Sequence, residues 1–420
     1  MARYILLLFI CAYSFQGSAQ SLSLDSCQSL AHENNKRLKE AQMNLQASEL
    51  VKKNAFTNYF PKLDAGITVF KSDKKLLELG LAGTQMRLLD YANYGHISAI
   101  QPIYAGGKVR NGNRLSSLGV EINKENLTLT EDQLKVKTEE LFWLSISLQE
   151  KMITLLQYEE LVNTLLKDVE VSYNAGLIQK SDLLKVQLKQ NELSTNKLQL
   201  QNSIDMVAMT LCQHLGIKYS EKIRFEDELL TTDLPIQYFE IHNESVVNRS
   251  EFKILSKLKR VEELKYKMIK GDILPQFAIG ASGMYLDVLD NDNTSLLAFA
   301  TLSIPISDWW GGGHRLKESK VHIRIAQNKI DETSELLELE MEKEYRDLNE
   351  EYQRITVSQK SVIQAEEHHK VIKDNYSAGL VNTSDLLEAQ AMLQEAKDGE
   401  TDALCTYKIR LANYLKSIGK

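Results

Sequence analysis

Residues 103–234 and 306–420 contain no proline, and nothing else in the sequence restricts the fold as much. Proline removes a backbone donor and breaks a helix interior, so these two stretches are free to be helical over lengths few domains accommodate. In the first of them, apolar positions recur at alternating spacings of four and three: Leu134, Thr138, Leu141, Ser145, Leu148, Met152, Leu155, Glu159, Val162, Leu166, Val169, Tyr173. Nine of these twelve are apolar or aromatic, a coiled-coil seam with a 3.5-residue period. A helix over 106–172 would be roughly 100 Å long at 1.5 Å per residue. No compact globular domain holds such an element.

Before each long helix the periodicity changes from helical to alternating. Leu63, Ala65, Ile67 and Val69 alternate after Pro61, and the segment Tyr94 to Tyr104 carries Pro102. Phe277, Ile279, Ala281, Gly283 and Tyr285 alternate after Pro275, and Ser295 to Ile306 runs past Pro305. Segments of this length match tilted membrane-spanning strands of about 9–11 residues. Aromatic residues cluster at their ends, Tyr59, Phe60, Tyr104, Trp309 and Trp310 on one side and Phe70, Tyr91, Tyr94 and Tyr285 on the other. Two interfacial girdles have that arrangement.

The chain is written twice. Residues 173–187 and 376–390 share nine of fifteen identities at an offset of 203, which also relates Pro102 to Pro305 and Gly216 to Gly419. Pro61 and Pro275 correspond at 214, the difference falling in a longer first inter-strand loop. The expected organisation is a signal peptide over 1–19, a first repeat over 20–216, a connector over 217–247 and a second repeat over 248–420. Each repeat reads as helix, two strands, long helix, turn, helix. Gly176 and Gly379 suit the left-handed end of a helix, and Ser181-Asp182 and Ser384-Asp385 supply capping chemistry for the next one. Four strands per chain are fewer than the eight or so of the smallest membrane barrel, so an oligomer must close it. Two chains give eight strands and three give twelve.

At the N-terminus, Arg3 precedes an apolar run from Tyr4 to Tyr13 and the small residues ending at Ala19, the pattern of a secretory signal. Beyond it no window offers the roughly 20 apolar residues of a membrane helix. The formal net charge is −7, with 50 basic residues scattered among 57 acidic ones, which excludes nucleic acid as the main partner. Cys27, Cys212 and Cys405 are widely spaced, forming neither a disulfide framework nor a metal motif, and are expected to be inert core thiols.

Other candidate sites fail on their own terms. Glu366 and His369 form the one Glu-x-x-His pair, where a di-metal bundle needs two pairs and two further glutamates. The run Asp290-Asn291-Asp292-Asn293-Thr294 starts like a calcium loop but lacks its glycine and its terminal acid, and reads as an outer loop. Gly311-Gly312-Gly313 lacks a phosphate-loop context and is expected to let the strand turn into the helix. Neither catalytic residues nor a cofactor are expected.

Several segments, taken in order, resemble the outer-membrane efflux protein family, the TolC-like channels. They are Leu24-Asp25-Ser26-Cys27-Gln28-Ser29-Leu30-Ala31 with Asn34 and Asn35, then Tyr59-Phe60-Pro61-Lys62-Leu63, and Gln101-Pro102-Ile103-Tyr104-Ala105-Gly106-Gly107 with its counterpart from Ile304-Pro305 to Gly313. Both Tyr-x-Ala-Gly-Leu turns complete the set, so that the likeness covers 22–420.

The resemblance implies a mainly α, α+β fold: a homotrimer whose four strands per chain make a 12-stranded outer-membrane β-barrel, continued by a periplasmic α-helical barrel. It implies outer-membrane lipid around the strands, a periplasmic adaptor protein and an inner-membrane pump of the RND or ABC type. The function it implies is the exit duct of a tripartite efflux or type I secretion system. Carried over residue by residue, the periplasmic gate falls on Asp182, Tyr376, Asp385 and Glu388. Adaptor contacts fall on the tips Tyr173, Ala175, Gly176, Leu177, Ser181, Ala378, Gly379, Leu380 and Ser384. Strand-to-helix junctions fall on Pro61, Pro102, Gly106, Gly107, Pro275, Pro305 and Gly311. The chain departs from many members in having Val381, Asn382 and Thr383 where an arginine locks the gate. The alternatives are a structural or adhesive coiled-coil protein of the envelope, and the outer component of a metal-cation exporter, for which no Met or His cluster speaks.

Overall fold

The computed structural model describes residues 20–73, 78–81, 84–87, 91–221, 223–227, 232–288 and 291–420. The expected signal peptide and Asp290 lie outside them, and residues 291–294, expected in an outer loop, instead begin a strand that pairs with residues 285–288. The order is β1 (Gln20–Leu22), α1 (Leu24–Asn34), α2 (Lys36–Phe56), β2 (Lys62–Lys71), β3 (Glu78–Leu81), β4 (Thr84–Arg87), β5 (Tyr91–Ala105), α3 (Lys108–Asn174) and α4 (Lys180–Leu215). There follow β6 (Ile223–Phe225), α5 (His242–Ser245), α6 (Ser250–Asp272), β7 (Gln276–Val288), β8 (Asn291–Ser303), α7 (Asp308–Ser377) and α8 (Thr383–Ser417). The long helices α3 and α7 have 67 and 70 residues, and the helices after their turns have 36 and 35. Among the described residues no helix is long and apolar enough to cross a membrane.

By packing, the chain divides into two compact units that cut across the sequence repeats. One holds the described residues up to Lys39, Thr130–Val246 and Leu337–Lys420; the other holds Glu40–Leu129 and Val247–Leu336. Each repeat therefore contributes to both units, because its long helix leaves one and ends in the other.

In the first unit the seam forms part of the core, beside fully buried residues such as Phe142, Leu211, Tyr407 and Tyr414. Leu134, Thr138, Leu141, Ser145, Leu155, Val162 and Val169 are buried, and the other five seam positions are half-buried. The three non-apolar members are each satisfied: the Thr138 hydroxyl donates to the Leu134 carbonyl at 2.8 Å, the Ser145 hydroxyl accepts from Gln149 at 3.3 Å, and Glu159 accepts from Lys197 at 2.7 Å. Leu155, Tyr158, Val162, Leu165 and Val169 of α3 pack with Val186 and Leu193 of α4 and Leu386 of α8. Fully burying such an apolar side chain stabilises by about 1.5–3 kcal/mol. The thiols lie in this unit too, all three buried. Burial pushes Cys27 up to about 12, with the charge of Cys212 adding to it, and Cys405 also up to about 12. Unreactive core thiols behave this way.

The second unit carries a four-stranded antiparallel sheet in the order β2-β5-β7-β8. Its ladders are continuous except for an irregularity at Pro102/Tyr104, where proline removes a donor. Cross-strand partners share a face, so the register sorts the side chains. Leu63, Ile67 and Val69 stand with Ile97 and Ala99, Ile279, Ala281 and Tyr285, and Leu296, Ala298 and Leu302. The opposite face mixes Asp64, Thr68, His96, Ser98, Ser282 and Ser295 with Phe70, Leu297 and Phe299. On that mixed face His96 Nε2 and Asp64 Oδ1 are 3.0 Å apart. Leu63, Ile67 and Leu296 are 77%, 83% and 86% exposed in the single chain, so an apolar sheet face is left uncovered. The residues expected to form one girdle, Phe70, Tyr91, Tyr94 and Tyr285, lie within a few rungs of one another but divide between the faces: Tyr91 and Tyr285 stand on the apolar one, Phe70 and Tyr94 on the mixed one.

Candidate functional site

The two helical turns are built by one hydrogen-bond pattern. At the first, Ala175 N–H donates to Val171 O at 3.0 Å, Gly176 N–H to Tyr173 O at 2.9 Å and Leu177 N–H to Ser172 O at 2.9 Å. At the second, Ala378 donates to Asp374 at 3.1 Å, Gly379 to Tyr376 at 3.0 Å and Leu380 to Asn375 at 2.9 Å, each displaced by 203 residues. Gly176 and Gly379 have φ of +73° and +75°, the left-handed conformation that closes a helix and that L side chains adopt at a cost. The pattern returns where α4 and α8 end, with Gly216 at φ +70° and Gly419 at φ +82°.

Capping differs from the sequence expectation. The cap of α8 is Asn382, whose side chain accepts from the N–H groups of Ser384 at 2.8 Å and Asp385 at 3.2 Å. Asp385 accepts from Asn382 N–H at 3.0 Å, completing a capping box. Ser384 is thus inside the helix, and Asp385 is its third residue. At α4 the cap is Gln179, with no side-chain bond, and Ser181 and Asp182 already belong to the first turn. The helix starts earlier than a Ser-Asp pair suggests because the turn after glycine is too short to leave those residues outside.

The gate candidates fall into different surroundings. Tyr376 packs half-buried against the Leu155–Leu386 core. Asp182 lies 3.8 Å from Lys185 of its own helix, and Lys185 donates to the Ser384 hydroxyl at 3.1 Å, joining α4 to the start of α8. Glu388 is exposed. Lys185 escaped the sequence reading, although a signal was there: at the offset of 203 it stands opposite Glu388, a charge reversal inside an otherwise identical Ser-Asp-Leu-Leu run. A little farther from the turns, the Tyr158 hydroxyl donates to Leu387 O at 3.0 Å, and burial followed by the Glu192 charge pushes its pKa up. At the tips themselves Leu177 and Leu380 are 78% and 74% exposed, and Gly176 and Gly379 have open space around them.

The Glu366 carboxylate pairs with Lys397 at 3.1 Å, and burial, then the charge of Lys373, lowers the pKa of His369. Among the described residues no three His, Cys, Asp or Glu side chains gather as metal ligands.

The arrangement of long helices, paired turns and four-stranded sheet recurs in solved structures. The outer-membrane channel CmeC of Campylobacter jejuni superposes with a TM-score of 0.83 at 13% identity, over 94% of this chain and 85% of that one. The outer-membrane protein VceC of Vibrio cholerae gives 0.80 at 13% identity over 94% and 96%, and the open-state MtrE channel of Neisseria gonorrhoeae gives 0.79 at 13% over 94% and 88%. The chain has the TolC-like outer-membrane channel fold. No protein-family model and no curated protein matches the sequence.

Within the TolC-like fold, the junction residues occupy distinct places. Gly106 and Gly107, at φ +60° and +79°, make the turn from β5 into α3. Pro61 and Pro275 stand just before β2 and β7, Pro102 lies within β5, and Pro305 follows β8. Gly311 does not form the second junction: α7 begins at Asp308, and Asp308 N–H already donates to Pro305 O at 3.1 Å. The proline turn suffices there, so Gly311–Gly313 continue the helix, and a Cβ on Gly312 would lie 2.6 Å from Ile273 Cγ2.

Proposed function

We propose that three copies of this chain form an exit duct in the outer membrane, with the strands in the bilayer and the helices extending into the periplasm. The observation that carries this reading is the four-stranded sheet, which has one apolar face and, among the described residues, two unpaired edges, β2 and β8. Exposed edges of that length invite pairing with another chain, and closing β8 of one copy onto β2 of the next removes every edge. Three copies give a twelve-stranded barrel. The likeness in fold to the outer-membrane channels CmeC and MtrE and to the outer-membrane protein VceC supports a channel in the outer membrane.

In this reading the duct is passive and serves a tripartite efflux or type I secretion system. A periplasmic adaptor docks at the tips, where Leu177 and Leu380 offer apolar contact, and an energised inner-membrane pump supplies the substrate. Native mass of the detergent-extracted protein from separated envelope fractions tests it: three chains from the outer-membrane fraction are expected, whereas a soluble periplasmic monomer would leave a coiled-coil scaffold as the better reading.

The tips would also form the gate. Under three-fold symmetry Asp385 and Glu388 become rings of carboxylates that favour cations and resist closure. Asp385→Asn with Glu388→Gln keeps an oxygen for the Asn382 N–H, so the capping box survives while the charge goes. Single-channel recordings should then show reduced cation preference and altered conductance; unchanged traces would remove these residues from the pore.

A further inference from the structure

Between α2 and α3 of the second unit runs a groove of about 690 Å³ with four cations on its walls, Lys52, Lys53, Arg110 and Arg114. Glu49 is the one carboxylate among its lining residues, and none of the four cations has a described carboxylate within 4.0 Å. The groove is built rather than accidental: Asn113 of α3 donates to Ala55 O of α2 at 2.9 Å, fixing the two helices. Phe56 and Tyr59 give part of its wall an aromatic surface, and Asn113, Ser117 and Val120 complete it. The Phe56 ring lies 5.5 Å from that of Tyr59 and 5.6 Å from that of Phe60.

Two features argue for an anion. Arg110 stands in the first turn of α3, which contains no acid, so its charge faces the positive end of the helix dipole. The four exposed cations, with no described carboxylate within 4.0 Å, form one positive patch along the groove, which an anion complements. The position says which anion. Tyr59 is three residues before β2 begins at Lys62, and Arg110 is five residues after β5 ends at Ala105. Cations beside aromatic rings at the end of membrane strands occupy the headgroup level.

We propose that this groove binds the phosphate headgroup of an anionic phospholipid from the periplasmic leaflet of the outer membrane, anchoring the barrel at a fixed depth. The inference rests on the reading that the four strands span that membrane. Its test is native mass spectrometry of the detergent-solubilised oligomer titrated with dioleoylphosphatidylglycerol or dioleoylphosphatidylcholine. Replacing all four cations (Lys52→Gln, Lys53→Gln, Arg110→Gln, Arg114→Gln) should weaken phosphatidylglycerol binding by about tenfold or more and leave phosphatidylcholine unaffected. Equal phosphatidylglycerol binding by the wild type and the variant would overturn the site. Displacement by inorganic phosphate at matched concentration would make it a site for free anions and overturn the lipid assignment.

If the fourfold variant does not assemble, Arg110→Gln with Arg114→Gln reads the same loss. Lys52→Arg with Lys53→Arg keeps the charge and should keep the lipid; loss there would overturn an electrostatic site. Conductance in neutral phosphatidylcholine bilayers is recorded in parallel. A silent protein counts against the channel reading, whereas a conducting protein without phosphatidylglycerol preference counts against this inference alone.

Discussion

Ile67→Arg is expected to abolish recovery of the assembled protein from the outer-membrane fraction, while Thr68→Arg, one residue away at the same depth, leaves assembly intact. The register puts Ile67 on the apolar face with Ile97 and Tyr285 and puts Thr68 on the mixed face with Tyr94. An arginine facing lipid near the bilayer midplane costs about 2–4 kcal/mol, hence about 6–12 kcal/mol over three copies. The same side chain in a water-filled lumen carries no such cost, but three positive charges there should depress cation conductance. Heat-resistant oligomer in fractionated envelopes checks the first effect and single-channel recording the second. Indistinguishable behaviour of the two variants would mean that the apolar face does not meet lipid.

The second large effect is expected at Gly106. Its φ of +60° is unfavourable for any β-branched residue, and a Cβ there would lie 2.7 Å from Gly271 Cα and closer still to its carbonyl oxygen. Backbone cannot swing aside as a flexible side chain does. Gly106→Val combines dihedral strain with a backbone clash and should cost about 4 kcal/mol or more, enough to remove most assembled protein. Gly112→Ala is the control. Gly112 lies inside α3 with nothing within 4 Å of an added Cβ, so the change should be neutral or stabilising by up to about 1 kcal/mol. Thermal loss of the oligomer in detergent compares the two; similar melting of Gly106→Val and wild type would mean that the junction yields.

Much of this protein is a local matter, and local matters are legible in sequence. The long helices follow from proline's absence and a 3.5-residue period, and the seam from Leu134 to Tyr173 is unexposed at every position. The alternation of Leu63 to Val69 and Phe277 to Tyr285 marks one sheet face, because the period of a strand is two wherever it pairs. Both glycine turns were equally readable, since only a residue without Cβ takes a positive φ cheaply.

What depends on neighbours distant in the chain was decided by the tertiary structure. The sequence offers two hairpins; that β5 pairs with β7, joining them into one sheet, is a choice between edges that look alike locally. Capping by Asn382 rather than Ser384 depends on where the preceding turn ends. The tie from Lys185 to Ser384 spans 199 residues, and the groove joins Lys52 and Lys53 to Arg110 and Arg114 across two helices whose separate sequences show only ordinary surface charge. Periodicity states which way a side chain points, and packing alone states what it meets.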